Sequence, residues 1–317
     1  MTAMLWHGLL GLFVVLALLA VLAVAASWEL DRPVATLEVR WAAPASTFII
    51  LKGQRVHLRD EGPREDPIPL MLIHGTSASL HTWDGWAAAL RGQRRVIRFD
   101  LPGFGLTGPN AAADYSDASY ARFVVDLADA LGLQRFVIAG NSLGGEVAWR
   151  TALLAPQRID KLILVDAAGY PLIPESIPWG FRLAYSPITA WLTQWTLPRA
   201  LVASSVRNVY GDPAKVTPEL VDRYFELTLR EGNRRALAQR LQQLDRGGAS
   251  APRIRELKVP TLILWGGRDR LIPPDSARRF AADIAGSRLV VFETLGHVPH
   301  EEDPAASVAP VRRFLGL

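Results

Sequence analysis

One short stretch constrains the fold more than any other. Phe136-Val137-Ile138-Ala139 is an apolar run, followed at once by Gly140-Asn141-Ser142-Leu143-Gly144-Gly145 and then by helix-forming sequence. The pattern G-x-S-x-G between a strand and a helix describes a sharp turn that lifts the serine hydroxyl clear of the backbone. Such a turn forces the serine into a strained conformation, and glycines two before and two after leave room for it. Gly145 lets the following helix pack close to the sheet. The helix N-terminus points free N–H groups and its dipole at negative charge developing beside the serine.

The rest of the chain supplies the frame this turn needs. Thr47 to Leu51 and Val56 to Leu58 read as a hairpin pair joined near Lys52-Gly53. Leu70–Ile73, Val96–Phe99, Leu162–Val165, Leu262–Trp265 and Leu289–Phe292 are short apolar runs of the kind buried parallel strands show. Between them, 120–131, 146–154, 276–284 and 308–315 carry apolar residues at helical spacing. Alternating strands and helices predict right-handed crossovers and a mostly parallel sheet flanked by helices, with the site at the strands' carboxyl ends. The rhythm stops between 171 and 250, where prolines cluster at 171, 174 and 178 and helical pieces follow at 218–230 and 234–244. This segment reads as a helical cap over a core formed by 46–170 and 251–317.

Gly8 to Ala26 is unbroken apolar sequence, long enough to cross a hydrocarbon core as a helix, with Trp6 and Trp28 at its flanks. Residues 1–28 are read as a single-pass anchor and 29–45 as a juxtamembrane connector. The rival is a cleaved signal peptide with its site at Ala23-Val24-Ala25; against it, the run exceeds a usual signal core and no Lys or Arg precedes it. The expected location is a bacterial inner membrane. The side occupied by the main domain stays open, since Arg32 and Arg40 favour the cytoplasm but lie beside Glu29 and Asp31.

Composition closes off several functions. With no cysteine among 317 residues, disulfides, thiolate metal sites and a cysteine nucleophile are excluded. A net charge of +4 without a basic block or motif gives no reason to expect nucleic-acid binding.

From about residue 47 to the C-terminus, the cap apart, the chain resembles the α/β-hydrolase superfamily. The resemblance rests on Leu72-Ile73-His74-Gly75-Thr76, Phe99-Asp100-Leu101-Pro102-Gly103-Phe104-Gly105, the serine turn, Leu264-Trp265-Gly266-Gly267-Arg268-Asp269 and Gly296-His297-Val298-Pro299-His300-Glu301-Glu302, in the order that superfamily shows. It implies Ser142 as nucleophile, His297 as base and Asp269 as the acid orienting the imidazole, with no metal and no cofactor. Asp166 is the runner-up acid, since some lipases place it after the preceding strand. The N–H groups of Leu143 and Thr76 are the implied oxyanion donors. His74 matches a structural position in the family, and His300 is expected at the surface or near the entrance. His7, His57 and His81 lie outside the expected loops.

The cap is rich in aromatics, and Trp179, Trp191 and Trp195 are the candidate substrate contacts, although most such rings serve a cap's own core. Residues 173–202 are a second candidate membrane contact, resting on the bilayer surface. The function expected from all this is hydrolysis of a carboxylic ester of an apolar substrate. Carbon–carbon bond hydrolysis of vinylogous diketones is the competitor: Gly140-Asn141-Ser142 and the cap resemble that family, which usually has Trp directly after the catalytic histidine, where this chain has Val298. A cofactor-free haloperoxidase or perhydrolase uses the same triad, and a non-catalytic membrane-tethered module is the reading from another class. Epoxide hydrolases and haloalkane dehalogenases use an Asp nucleophile, against which Ser142 argues. Oligomeric state is not legible.

Overall fold

The computed structural model describes residues 2–171, 175–186, 191–245 and 248–317. Its centre is an eight-stranded sheet: β1 (Ser46–Leu51), β2 (Gln54–Glu61), β3 (Leu70–Ile73), β4 (Val96–Phe99), β5 (Phe136–Asn141), β6 (Ile159–Val165), β7 (Thr261–Gly266) and β8 (Arg288–Phe292). The order is β1-β2-β4-β3-β5-β6-β7-β8. β2 pairs antiparallel with β1 and β4, and every later pairing is parallel. The parallel part is therefore wrapped on both faces. Along β3, Leu70 and Leu72 join one apolar cluster with Trp83, Trp86 and Val311, while Met71 and Ile73 join the other with Trp149, Trp265 and Phe280. That split is the two-residue alternation of a strand working on two cores at once.

Twelve helices complete the described chain: α1 (Thr2–Ala26), α2 (Val34–Trp41), α3 (Asp84–Leu90), α4 (Asp117–Ala130), α5 (Leu143–Leu154), α6 (Trp179–Tyr185), α7 (Arg199–Val209), α8 (Pro218–Thr228), α9 (Asn233–Gln242), α10 (Asp275–Asp283), α11 (Pro299–Glu302) and α12 (Pro304–Leu315). α4 starts three residues before the predicted apolar periodicity, because the Ser116 hydroxyl caps it by accepting the Ser119 N–H. The predicted cap is α6 to α9; no named strand occurs among its described residues. Leu172, Ile173, Pro174, the run 187–190, Arg246 and Gly247, all within it, lie outside the described residues.

α1 is long and apolar enough to cross a membrane: Trp6–Ala26 has a mean hydropathy of 3.0, and none of its described side chains is buried. The connector is an ordered element. It contains α2, whose Leu37 is 2 % exposed, and Arg40 and Trp41 both donate to Glu226 on α8 at 2.7 Å.

The serine turn fixes how closely α5 meets the sheet. A Cβ on Gly144 would lie 2.2 Å from the Ile73 carbonyl oxygen and 2.6 Å from that of His74, both backbone atoms that cannot rotate away. Gly144→Ala is expected to cost about 3 kcal/mol, the upper end of the usual overpacking penalty, whereas Gly92→Ala, with nothing within 4 Å, leaves the melting temperature unchanged. Thermal unfolding followed by circular dichroism compares the two.

Candidate active site

Ser142 sits between β5 and α5 with φ 55° and ψ −118°, the strained backbone the motif demands. Hydrogen bonds hold it there. Its N–H donates to the Val165 carbonyl at 3.1 Å, and its carbonyl accepts from Glu146 at 3.1 Å and Ala168 at 3.0 Å. Asn141, 3 % exposed, turns its side chain inward and donates to the carbonyls of Val165 and His297, the latter at 2.9 Å. The residue before the serine thus ties down the loop that carries the histidine.

His297 follows β8 and is 4 % exposed. Its Nδ1 is 2.6 Å from Asp269 Oδ2. Asp269 Oδ1 accepts the N–H groups of Leu271 at 2.8 Å and Ile272 at 2.9 Å. With Nδ1–H given to the carboxylate, Nε2 presents a lone pair, the form in which imidazole takes a proton from a hydroxyl. Ser142, His297, Leu143 and Thr76 line one cavity. Leu143 opens α5, where first-turn N–H groups have no acceptor within the helix. A Cβ on Gly75 would lie 2.9 Å from Asn141 Oδ1 and 3.1 Å from Ser142 Cβ, so this glycine lets the Thr76 loop approach the serine.

The two candidate acids separate by their partners. Asp166, fully buried at φ 44°, accepts one N–H, from Gly266 at 2.9 Å, and no N–H donor among the described residues meets its Oδ2, which leaves the Asp269 carboxyl as its side-chain neighbour. Burial and the adjacent Asp269 push its pKa well up, so it is the neutral member of the pair. Asp269 instead faces three donors: His297 Nδ1 and the N–H groups of Leu271 and Ile272. Asp166, Asp269 and His297 lie within 4.8 Å of one another, a spread that a metal site also has. Donors already face both oxygens of Asp269, which disfavours a cation there.

His57, His74 and His300 are held in structural contacts away from the serine. His74 Nδ1 donates to the Gly75 carbonyl at 2.7 Å and its Nε2 accepts the Leu101 N–H at 2.9 Å. His57 meets Asp100 at 2.7 Å and the Ser46 hydroxyl at 2.9 Å. His300 departs from its expected place near the surface: it is fully buried, 3.0 Å from the Thr82 hydroxyl, with its ring 4.0 Å from that of Trp83. The Pro299–Glu302 turn rotates it away from the cavity into the core beneath α3.

The candidate tryptophans are also corrected. Trp179, Trp191 and Trp195 are 60 %, 59 % and 46 % exposed, and none lines the cavity. Trp195 instead stacks on Trp28 at 5.7 Å. The cavity wall is mostly apolar, with Val206, Val209, Ile272, Val298 and Phe181 among its members, and charged side chains such as Glu146, Arg150 and Arg240 join it. At about 1300 Å³ it exceeds the roughly 300–1,000 Å³ of ordinary ligand pockets.

Sequence reasoning missed Glu302. Its carboxylate accepts the N–H of Gly296 at 2.8 Å, beside His297, and those of Gly211 at 2.9 Å and Asp212 at 2.8 Å, in the loop after α7. The His297 N–H itself donates to Val209, the last residue of α7, at 2.7 Å. Only the run of acids after His297 hinted at this clamp, and nothing local says that its partners lie some ninety residues upstream.

The model of the alpha/beta hydrolase fold family matches residues 68–304. The chain belongs to the α/β-hydrolase fold family. Among its relatives, an uncharacterized protein of Mycobacterium tuberculosis is 32 % identical over 86 % of this chain and 82 % of its own. The 2-hydroxymuconate semialdehyde hydrolase of a Pseudomonas species is 29 % identical, covering 84 % of this chain and 92 % of the relative. Among solved structures, a meta-cleavage product hydrolase from Pseudomonas fluorescens superposes with a TM-score of 0.74 at 27 % identity, over 85 % of this chain and 97 % of that one. A bacterial membrane phospholipase A superposes with a TM-score of 0.70 at 26 % identity over 98 % of both chains.

Two outcomes follow for this α/β-hydrolase. Glu302→Gln places an amide N–H₂ against backbone N–H donors, and a loss of about 1–3 kcal/mol is expected in chemical denaturation. Burial lowers the pKa of His74, of His300 and of His81, the last to about 3. The unfolded chain takes up those protons near pH 6.5 and the folded one does not, so stability is full above 6.5 and falls below it. Each histidine contributes about 1.4 kcal/mol per pH unit, while the raised carboxyls of Asp166 and Glu146 act in the opposite sense over the same range, so a modest net fall in melting temperature is expected between pH 7 and pH 5.

Proposed function

We propose that this α/β-hydrolase is a membrane-anchored serine hydrolase that cleaves carboxylic esters of long apolar acyl groups. One observation carries the reading: a strained Ser142 and an Asp269-held His297 share a large, mostly apolar cavity. Ser142 Oγ attacks the ester carbonyl as His297 Nε2 takes its proton. The tetrahedral oxyanion lies against the N–H groups of Leu143 and Thr76. Collapse expels the alcohol, which takes the proton from His297, and leaves an acyl-Ser142 ester. Water activated by His297 then attacks that ester, releasing the acid and returning the proton to Ser142. Asp269 holds the imidazole tautomer and stabilises imidazolium; Asp166 beside it is not needed for that.

The likeness to the membrane phospholipase A extends through the anchor region, since 98 % of this chain is covered, and supports an ester-cleaving reading. Carbon–carbon hydrolysis is the second reading, favoured by the likeness to meta-cleavage product hydrolases. Val298, which stands where that family usually has Trp, packs into the cap cluster with Val206 and Tyr210 and widens the space beside His297.

The test is turnover of p-nitrophenyl esters of increasing acyl length beside a vinylogous 1,5-diketone. Rates are expected to rise with chain length, and Ser142→Ala to lower kcat by at least about 10³-fold. Asp269→Asn should lose about as much as tautomer loss does in other triads, on the order of 10⁴-fold. Asp166→Asn should stay close to the parent. Diketone cleavage without ester turnover would transfer the assignment to the second reading; a rate lost in Asp166→Asn and kept in Asp269→Asn would exchange the acids.

A further inference from the structure

The last turn of α1 is part of the cavity. Ala23, Val24, Ala26 and Ser27 all line it, in company with Ser142 and His297. Their spacing places them on one face of the helix. The larger residues of α1, such as Leu16, Leu19 and Leu22, lie on the turns before it and are more than half exposed. The helix therefore presents bulk to its surroundings along its length and small side chains where it meets the cavity.

This junction is built. The Leu197 N–H donates to the Ser27 carbonyl at 3.1 Å and the Glu29 N–H to the Trp195 carbonyl at 2.9 Å. Arg234 on α9, 5 % exposed, grips Asp31 at 2.6 Å and the Glu29 carbonyl at 2.8 Å. Around it, Trp28, Leu30, Trp179, Trp191 and Trp195 expose their side chains to an extent rare for such residues. Arg182 lies over the Trp179 ring at 5.1 Å and also lines the cavity. Indoles beside guanidinium groups, at the end of an apolar helix, are the chemistry of the boundary between hydrocarbon and headgroups.

We propose that the cavity opens sideways into the bilayer along the last turn of α1, and that its substrate is the acyl chain of a membrane-resident glycerolipid drawn in past Ala23, Val24 and Ala26. This rests on the anchor and ester readings above. The exposed tryptophans set the depth of the mouth at the interface, so an ester carbonyl, which lies at that depth in a bilayer, reaches Ser142 while its chain lies along the apolar part of the wall. The anchor is then a wall of the binding site and not only a tether.

The experiment uses the full chain in nanodiscs of phosphatidylcholine and phosphatidylglycerol. Fatty acid release from the bilayer lipid is compared with hydrolysis of water-soluble p-nitrophenyl acetate for Ala23→Trp, Ala26→Trp and, as a control off the lining face, Ala25→Trp. The two lining variants are expected to lower the ratio of lipid to acetate turnover by about tenfold or more; the control should leave it unchanged. An unchanged ratio in the lining variants overturns the proposal, as does an equal effect of the control. A second readout needs no turnover: a phosphatidylcholine with a diazirine at its chain end is photolysed with the Ser142→Ala protein. Cross-links at Val206, Leu241 or Ile272 support the lateral route even if no ester is ever cleaved, which would remove the ester reading alone. Cross-links confined to α1 residues off the cavity, with esters cleaved normally, would remove the route and leave the reaction.

Discussion

A single residue held in left-handed backbone is the constraint around which the protein is arranged. Ser142 at φ 55° cannot relax without withdrawing its hydroxyl, and the strain persists only because neighbours over-determine it. β5 ends against β6, so that the Ser142 N–H meets the Val165 carbonyl. α5 begins within contact of the sheet because Gly140, Gly144 and Gly145 have no Cβ; at Gly140 one would lie 2.0 Å from the Gly144 carbonyl oxygen. β5 and its neighbour β3 are buried along their whole length, and β6 is buried from Leu162 to Val165, so the platform is stiff enough to bear the turn.

Around that fixed point the site is assembled from distant pieces of chain, and polar side chains do the joining. Asn141 reaches the His297 carbonyl, Asp269 the His297 ring, and Glu302 the backbone on both sides of the histidine loop and the cap. Each of these groups is almost fully buried, where an unmatched donor or acceptor is costly. The geometry of the base is thus enforced by hydrogen-bond satisfaction more than by packing.

What the sequence made legible and what it concealed follow from the range of the forces involved. Sheet strands, the serine turn and the residues Ser142 and His297 are written in local signals: apolar runs, glycine spacing, and polar residues just past strand ends; the preference for Asp269 over Asp166 rested on the family resemblance. α2 was read only as connector, because eight residues with one deeply buried leucine carry little periodicity. His300 was misplaced because a tight turn between β8 and α12 decides which way a side chain faces, and spacing does not encode that. The cap tryptophans were misjudged for a related reason: aromatic content says that rings exist, not which surface they serve. Asp166 and Asp269 were separable only once their hydrogen-bond donors could be counted.

The bond from the His297 N–H to the end of α7, with the Glu302 carboxylate spanning the same seam, has a consequence for how such proteins diversify. A cap that supplies an acceptor to the histidine loop is no interchangeable attachment. Recombination that grafts a foreign cap between residues 171 and 250 would import new walls and, unless it also carried a carbonyl at the position of Val209 and a turn like Gly211-Asp212, would leave the histidine loop without its brace. Evolution of new specificity in this scaffold is therefore channelled toward substitutions on the cap's inner face and away from wholesale exchange of the module.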